Sequence, residues 1–107
     1  MQSTGHLLAN QVIRSIEGYC CEHVDYSESS WSTSLRSVRY LGNVKEQILK
    51  VLKGYNCQVD SFDGSEYNCT VYKVEIDSVI MEILLTSYFS INEPGRVTNV
   101  VVDVCVS

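Results

Sequence analysis

The amino-acid sequence predicts an α+β fold, with two helices packed on one face of a mainly antiparallel sheet of four to five strands. Two segments, 5–19 and 44–53, repeat apolar residues at the spacing of a helix that is buried on one side. Residues 56–106 instead contain four short strand-like runs separated by turn-forming residues. Because parallel neighbours would need crossovers of about a dozen or more residues, these short connections predict a C-terminal antiparallel β-meander.

The length of the chain predicts one domain over residues 1–107. Its 107 residues are near the commonest domain size, and 45% of them are hydrophobic against 20% charged, which is typical of a globular protein. No secretory leader is recognisable after Met1, and no apolar run approaches the roughly 20 residues that a membrane-spanning helix needs. We therefore expect a cytoplasmic protein that does not contact membranes.

The first helix is expected over residues 5–19. Leu8, Val12 and Ile16 recur on one side of a helical projection, and polar residues occupy the other side. Gly18 marks the end region, because glycine readily adopts the backbone conformation in which helices stop.

The segment that follows the first helix has no clear periodicity. Residues 20–34 are polar and rich in serine, which favours local hydrogen bonds over a helix and predicts a loop or an irregular extended segment. Residues 35–41 are ambiguous, because Arg36, Val38 and Tyr40 alternate as in a strand, whereas an apolar repeat of three also fits a helix. We interpret 35–41 as a short strand.

The second helix is expected over residues 44–53. Asn43 is a suitable N-cap, and Glu46 follows it at the spacing of a capping box. Glu46 and Lys50 lie four residues apart in the favourable order, and Gly54 suits the left-handed position beyond the helix end.

The C-terminal half is predicted to form four strands over 57–59, 67–76, 79–85 and 97–106. We expect a hairpin loop at 62–64, a turn at Asp77-Ser78 and a type II turn at Pro94-Gly95, where proline sets the first corner and glycine allows positive φ at the second. The apolar alternation changes phase near Val71-Tyr72, which predicts a β-bulge. The last strand is expected at an edge of the sheet.

Two of the predicted strands each have one clear apolar face, which we assign to the core. In the third strand and the residues after it, this face holds Val79, Met81, Ile83, Leu85 and Phe89. In the last strand it holds Val100, Val102, Val104 and Val106. The opposite face of the sheet is mixed in polarity.

Charge is distributed unevenly along the chain. The formal net charge is −5, and it divides into −3 over residues 1–34, +4 over 35–53 and −6 over 54–107. An acidic chain is repelled by nucleic-acid phosphates, whose binding depends on clustered Lys and Arg. We therefore expect no direct contact with nucleic acid, and we interpret the basic block as a solvated helix face.

The five cysteines are expected to be free thiols, because their number is odd and no secretory leader is visible. They are Cys20, Cys21, Cys57, Cys69 and Cys105. If the hairpin loop spans 62–64, Cys57 and Cys69 lie opposite each other, and a disulfide between them is geometrically feasible.

No motif for catalysis or for a cofactor is present in the sequence. The two histidines, His6 and His23, lie outside any nucleophile motif, and the cysteines lack the paired spacing of structural zinc sites. Gly42 and Gly54 stand singly, so neither a P-loop nor a dinucleotide-binding fingerprint is formed. We expect a protein that is not an enzyme and that binds neither metal nor cofactor.

The aromatic residues provide the best candidates for a binding site. The chain contains seven tyrosines and one tryptophan, residue types that are enriched at protein interfaces. Glu22, Asp25, Tyr26, Glu28 and Trp31 lie together in the polar segment, and they predict an acidic binding surface. In the alternative interpretation, Trp31 folds back over the sheet and contributes to the core.

These features favour a small acidic protein that binds and blocks another macromolecule through a basic surface of that partner. Inhibitors of host defence that phages encode, such as anti-CRISPR proteins, are of this type, and so are toxin-neutralising immunity proteins. Self-association is the alternative, since Ile80, Leu84, Val97 and Val101 are candidates for exposure beside an edge strand. A homodimer is the expected form in that case.

Overall fold

The computed structural model describes residues 3–22, the backbone of 25 and 26, and residues 29–107. Its helices are α1 (Thr4–Ile16) and α2 (Leu41–Leu52), with short 3-10 turns at Glu17–Tyr19 and Val38–Tyr40. Its strands are β1 (Asp25–Tyr26), β2 (Ser30–Ser34), β3 (Cys57–Asp63), β4 (Tyr67–Ile76), β5 (Val79–Phe89) and β6 (Val97–Val106). The predicted α+β class is confirmed.

The strands form one six-stranded antiparallel sheet in the order β1-β2-β6-β5-β4-β3. The four C-terminal strands are the predicted meander. The expectation that the last strand lies at an edge is wrong, because β2 pairs with β6 along its outer side. The edges are β1 and β3.

The segment expected to be a loop or irregular contains β2. Trp31 and Thr33 of β2 are buried opposite Val104 and Val102, whereas the intervening serines are directed to the other face of the sheet. The strand was missed because its core-facing positions are a single tryptophan and a threonine, so apolar alternation is nearly absent.

Both helices bury their apolar stripes on the same side of the sheet. The buried core contains Leu8, Val12 and Ile16 of α1, together with Val44, Ile48 and Leu52 of α2. From the sheet it contains the predicted faces of β5 and β6, with Val79 and Phe89 only partly buried. Within the described part of the chain, neither helix has the length and apolar composition needed to cross a membrane.

The second helix starts earlier than the sequence predicts. It begins at Leu41, directly after the 3-10 turn Val38–Tyr40, so the interpretation of 35–41 as a strand is wrong. Asn43 lies inside the helix and is not its N-cap. The earlier start lets Leu41 pack against the core one turn before Val44. The predicted end is confirmed, since the helix stops before Gly54, whose φ is +94°.

The predicted turns of the sheet are present. Asp77 and Ser78 both have positive φ, 50° and 67°, as the two-residue hairpin turn between β4 and β5 requires. Gly95 has a φ of +86°, and the Arg96 amide donates to the Glu93 carbonyl at 3.1 Å, which defines the type II turn.

The predicted bulge near Val71-Tyr72 is wrong, because β4 pairs without a register shift on both sides. A register shift lies instead between Tyr88 and Phe89 of β5. The change of apolar phase in β4 has another cause. Tyr72 is buried on the helix side of the sheet, whereas Val71 faces the opposite side and is partly exposed.

The hairpin between β3 and β4 is longer than predicted. Phe62 and Asp63 belong to β3 and pair with Cys69 and Asn68. Cys57 lies opposite Val74, so it is not adjacent to Cys69, and the disulfide considered from the sequence is excluded by this register. All five cysteines are free thiols.

The contact of α1 with the sheet depends on Gly5. A Cβ atom at this buried position would lie 2.8 Å from Cγ1 of Val79 and 3.4 Å from Cγ1 of Val106. Gly42 occupies the corresponding second position of α2, but a Cβ there would meet no atom within 4 Å. The two glycines therefore provide a matched pair of substitutions.

We expect Gly5→Ala to lower the free energy of unfolding by about 1 kcal/mol, because overpacking costs more than the gain in helix propensity. Gly42→Ala should raise it by about 0.5 kcal/mol, through propensity alone. Urea denaturation of both variants and the parent measures these changes. Equal stabilisation by the two substitutions would show that α1 does not approach the sheet closely at Gly5.

Candidate functional site

The face of the sheet opposite the helices carries a cluster of exposed aromatic side chains. Alternation along the strands directs Phe62 of β3, Tyr67 of β4 and Tyr88 of β5 to this face. Their ring centroids are 5.6 Å apart for Phe62 and Tyr67 and 6.0 Å apart for Tyr67 and Tyr88. These distances are within the range of favourable aromatic pairs. We call this side of the sheet the open face.

The aromatic cluster borders an apolar groove of about 540 Å³. Its floor includes Cys69, Val71 and Leu84, which are partly exposed at the surface of β4 and β5. Phe62 is 56% exposed, Tyr88 42% and Tyr67 39%, so the three rings present a large apolar area to solvent. Surface patches of this kind mark interaction sites more often than isolated exposed apolar residues do.

Acidic residues accompany the aromatic cluster on the open face. Asp60 lines the groove, and Glu75, Glu82 and Asp103 alternate onto the same face of their strands. Lys73 lies directly opposite Glu82 in the register. Most of the remaining basic residues belong to α1, to α2 or to the residues directly before and after α2, namely Arg14, Arg36, Arg39, Lys45, Lys50 and Lys53. The helix layer is therefore basic, and the open face is acidic.

Of the residues singled out from the sequence, those that the structure describes lie near the opposite edge of the sheet, at β1, β2 and the segment before them. Trp31 is only 5% exposed, so it belongs to the core and is not a surface anchor. Glu22 is exposed, and it lines the same cavity as Trp31. Asp25 and Tyr26 form β1, where they pair with Ser32 and Trp31 of β2, and Glu28 lies outside the described residues.

Sequence reasoning did not identify the aromatic cluster. The phase change in β4 was the available signal, because it places Cys69 and Val71 on the side opposite Tyr72 and Val74. That pattern indicates a strand whose first half carries apolar residues on one face and whose second half carries them on the other face. We interpreted it as a bulge because the position of the helices cannot be derived from the alternation alone.

The cavity at Glu22 and Trp31 also contains the adjacent cysteines. It has a volume of about 240 Å³, and Arg36 donates from Nε to the Cys20 carbonyl oxygen at 2.9 Å. Burial, together with a smaller effect of the neighbouring Cys21, raises the pKa of the Cys20 thiol to about 11. A thiol with so high a pKa is a poor nucleophile at neutral pH, because the thiolate is the reactive form.

The described residues contain no group of three His, Cys, Asp or Glu side chains that could hold a metal ion. His6 lies in the first turn of α1, where its Nδ1 is 2.6 Å from Oγ of Ser3. The same hydroxyl oxygen accepts from the His6 amide as the N-cap of the helix. This contact is accounted for by helix capping. His23 lies outside the described residues.

Comparisons with protein-family models, with curated proteins and with solved structures find no match for this chain. The assignment of a function therefore depends on the geometry and charge of the surfaces described above.

The pKa of Cys20 generates a prediction on stability at alkaline pH. Its pKa is about 11 in the folded protein against 9.0 for an ordinary thiol. Below pH 9 the Cys20 thiol is neutral in both the folded and the unfolded protein, so its contribution to the free energy of unfolding is fully present. Between pH 9 and 11 only the unfolded state ionises appreciably, so the free energy of unfolding decreases.

We expect the parent protein to lose about 2 kcal/mol more than Cys20→Ala over this pH interval. Urea denaturation at a series of pH values measures the difference. Comparison with the variant subtracts the titration of other groups, including Tyr72, whose pKa is also raised by burial. Parallel stability curves for the two proteins would contradict a buried neutral thiol at position 20.

Proposed function

We propose that this chain is a small acidic protein that binds another macromolecule through the open face and acts without catalysis. The observation that carries the proposal is the exposed cluster of Phe62, Tyr67 and Tyr88 beside an apolar groove. Aromatic side chains at the centre of an interface contribute a large share of binding energy, because they bury much area and lose little conformational entropy.

The charge of the open face supports a partner with a basic surface. Asp60 and Asp103 flank the apolar groove on two sides, in the same cross-strand row, and Glu82 lies in the next row, so charged residues border the groove as in the rim of an interface. Opposite charges on the partner would steer the approach and increase the association rate. The basic helix layer on the other side would orient the molecule, so that the open face approaches first.

A basic surface that is blocked by an acidic protein is typically one that binds nucleic acid. We therefore propose an inhibitor of a nucleic-acid-binding complex, with a phage inhibitor of host defence such as an anti-CRISPR protein as the specific form. A toxin-neutralising immunity protein is the alternative of the same type. The acidic charge of the open face supports both forms, and the identity of the partner distinguishes between them.

The acidic segment at Glu22, Asp25, Tyr26 and Glu28 is a second candidate contact region. The proposal gives it a lesser role than the open face, because Trp31, which would have been its anchor, is buried. Without an exposed tryptophan, this region would contribute mainly charge, and charge at the rim of an interface changes association rates more than it changes affinity.

The proposal is tested by combining Phe62→Ala with Tyr88→Ala. We expect this double variant to bind the partner at least about thirtyfold more weakly, because two anchor residues of the interface are removed. The partner is first captured from native host lysate with the tagged parent protein at two salt concentrations. The affinity of each purified variant for it is then measured by biolayer interferometry.

The matched control combines Leu7→Ala with Leu49→Ala. These leucines are exposed to a degree similar to Phe62, but they lie on α1 and α2. The control variant should bind as the parent does. Equal affinity of both double variants would exclude the open face. If only the charge reversal of Glu22, Asp25 and Glu28 to Lys weakens binding, the interface lies in the acidic segment.

Self-association is the second candidate function, and the β3 edge favours it. All residues of β3 except Cys57 are exposed, and its outer side is not paired with any strand of the sheet. An open strand edge of this length pairs readily with another chain. Asp60 and Asp63 oppose this association, because they place like charges close together when two copies of β3 meet.

We expect sedimentation velocity to show a dimer if β3 edges pair, and Val59→Lys to dissociate that dimer by adding a charge to the edge. Lys at the exposed helix position Leu49 is the control, and it should leave the dimer intact. A monomer from about 1 to about 100 µM, a range that covers ordinary dimer affinities, would exclude self-association as the function.

A further inference from the structure

A polar pocket lies on the helix side of the sheet, near the first turn of α2. Its volume is about 280 Å³, close to the lower end of the range for small-ligand sites. Six polar side chains line it, those of Lys45, Ser61, Asp63, Asn68, Thr70 and Ser87. We call it the helix-side pocket. Strand alternation directs its residues to the side opposite the open face, except that Ser61, on the exposed edge strand β3, contributes to the lining of both cavities.

The sheet register brings these polar residues together in two adjacent rows. One row runs from Ser61 through Thr70 to Leu85, and the next from Asp63 through Asn68 to Ser87. Further along the same strands, the equivalent rows beneath the helices contain Tyr72, Val74, Ile83 and Met81, all of which are buried. The core face of the sheet therefore changes from apolar to polar where the pocket begins.

Ser87 is the least expected residue in this position. It is 8% exposed, and its hydroxyl makes no hydrogen bond to any described residue. A hydroxyl group that is removed from water without a partner costs free energy, and most such groups in proteins are satisfied. Its oxygen is not completely enclosed, since no fully buried unpaired polar atom is found among the described side chains. The hydroxyl is therefore available to a molecule in the pocket.

Two opposite charges line the same pocket without neutralising each other. Lys45 enters from α2 and Asp63 from the end of β3, and no ion pair joins them within the described part of the chain. The N-cap of α2, Tyr40, provides no side-chain hydrogen bond to the first-turn amides. The α2 side of the pocket is positive through Lys45 alone, because α2 continues from the 3-10 turn and the Leu41 amide already donates to the Val38 carbonyl, whereas Asp63 makes the hairpin side negative.

We propose that the helix-side pocket binds a small zwitterion of the α-amino-acid type. Its carboxylate would lie at Lys45, its ammonium group at Asp63, and the hydroxyls of Thr70 and Ser87 would complete the hydrogen bonds. Leu41, Leu85 and Val97 form the apolar part of the lining. This lining and the pocket volume select a ligand with a small aliphatic side chain.

The inference is tested by isothermal titration calorimetry of the full chain with each proteinogenic amino acid in turn. We expect saturable binding of one or more small aliphatic amino acids. The N-acetyl derivative and the methyl ester of the same amino acid should each bind about tenfold to a hundredfold more weakly, because each lacks one of the two charges. Failure of every amino acid to bind would overturn the proposal.

Variants distinguish this pocket from any other site on the protein. Lys45→Gln and Asp63→Asn should each weaken binding of the amino acid about tenfold or more. The two variants should differ in how strongly each still prefers the free amino acid to its methyl ester and to its N-acetyl derivative. Compared with the parent, Lys45→Gln should distinguish less between the amino acid and its methyl ester. Asp63→Asn should distinguish less between the amino acid and its N-acetyl derivative. The controls Lys50→Gln and Glu66→Gln remove similar charges outside the pocket, and they should bind the amino acid as the parent does.

Ser87→Ala provides an independent measurement, because it removes one oxygen atom and retains the fold. It should weaken amino-acid binding severalfold while leaving the melting temperature unchanged or higher, since an unpaired buried hydroxyl is lost. Unchanged affinity in Ser87→Ala, Lys45→Gln and Asp63→Asn would show that any bound amino acid occupies another site. If Lys45→Gln no longer binds the amino acid but still captures the macromolecular partner, the helix-side pocket and the proposed open-face interface are independent sites.

Discussion

The covering of one side of a long sheet by two short helices is the constraint on which the rest of this structure depends. α1 has 13 residues and α2 has 12, whereas β5 has 11 and β4 and β6 have 10 each. At about 1.5 Å per residue in a helix and about 3.4 Å in a strand, α1 is about 20 Å long and β5 about 37 Å. A single α1 therefore covers only part of the strands beneath it.

Two surfaces follow from this difference in length. Where the helices cover the sheet, its side chains are apolar and buried, as at Val74, Met81 and Ile83. At the margin of the cover, beside the first turn of α2, the same face of the sheet forms the helix-side pocket, with Ser61, Thr70 and Ser87 among its lining residues. The opposite face has neither helix above it, and its exposed aromatic cluster is the consequence. Each surface thus lies where a long antiparallel sheet lacks a packing layer.

Charge reinforces the difference between the two sides of the molecule. The basic residues between Arg14 and Lys53 belong to the helix layer or to the residues directly before and after α2, and most acids of residues 54–107 belong to the sheet and its turns. The negative charge of the open face repels nucleic-acid phosphates, and it is the reason for proposing a partner with a basic surface. The separation of charge also accounts for the mixed charge of the helix-side pocket, where Lys45 from the basic layer meets Asp63 from the acidic sheet.

Local periodicity was sufficient to determine α1, the apolar stripe of α2, the strands β4 to β6 and the turns at Asp77-Ser78 and Pro94-Gly95. In each case the residues that define the element are close in sequence, so their spacing reports which side is buried. The core faces of β5 and β6 were predictable for the same reason.

Only the tertiary structure decided the remaining features. β2 is a strand because β6 pairs with it, although its sequence alternates a tryptophan and a threonine with serines. The helix cover determines that Tyr72 is buried whereas Val71 is only partly buried, and the long hairpin register brings Phe62 beside Tyr67 and Ser61 beside Thr70. Strand pairing and the packing of helices on the sheet bring together residues that are distant in sequence, and a local sequence pattern carries no information about such contacts. The sequence by itself therefore determined the core segments of the two helices and of β4 to β6, whereas tertiary structure added β2 to the core and decided which surfaces remain exposed.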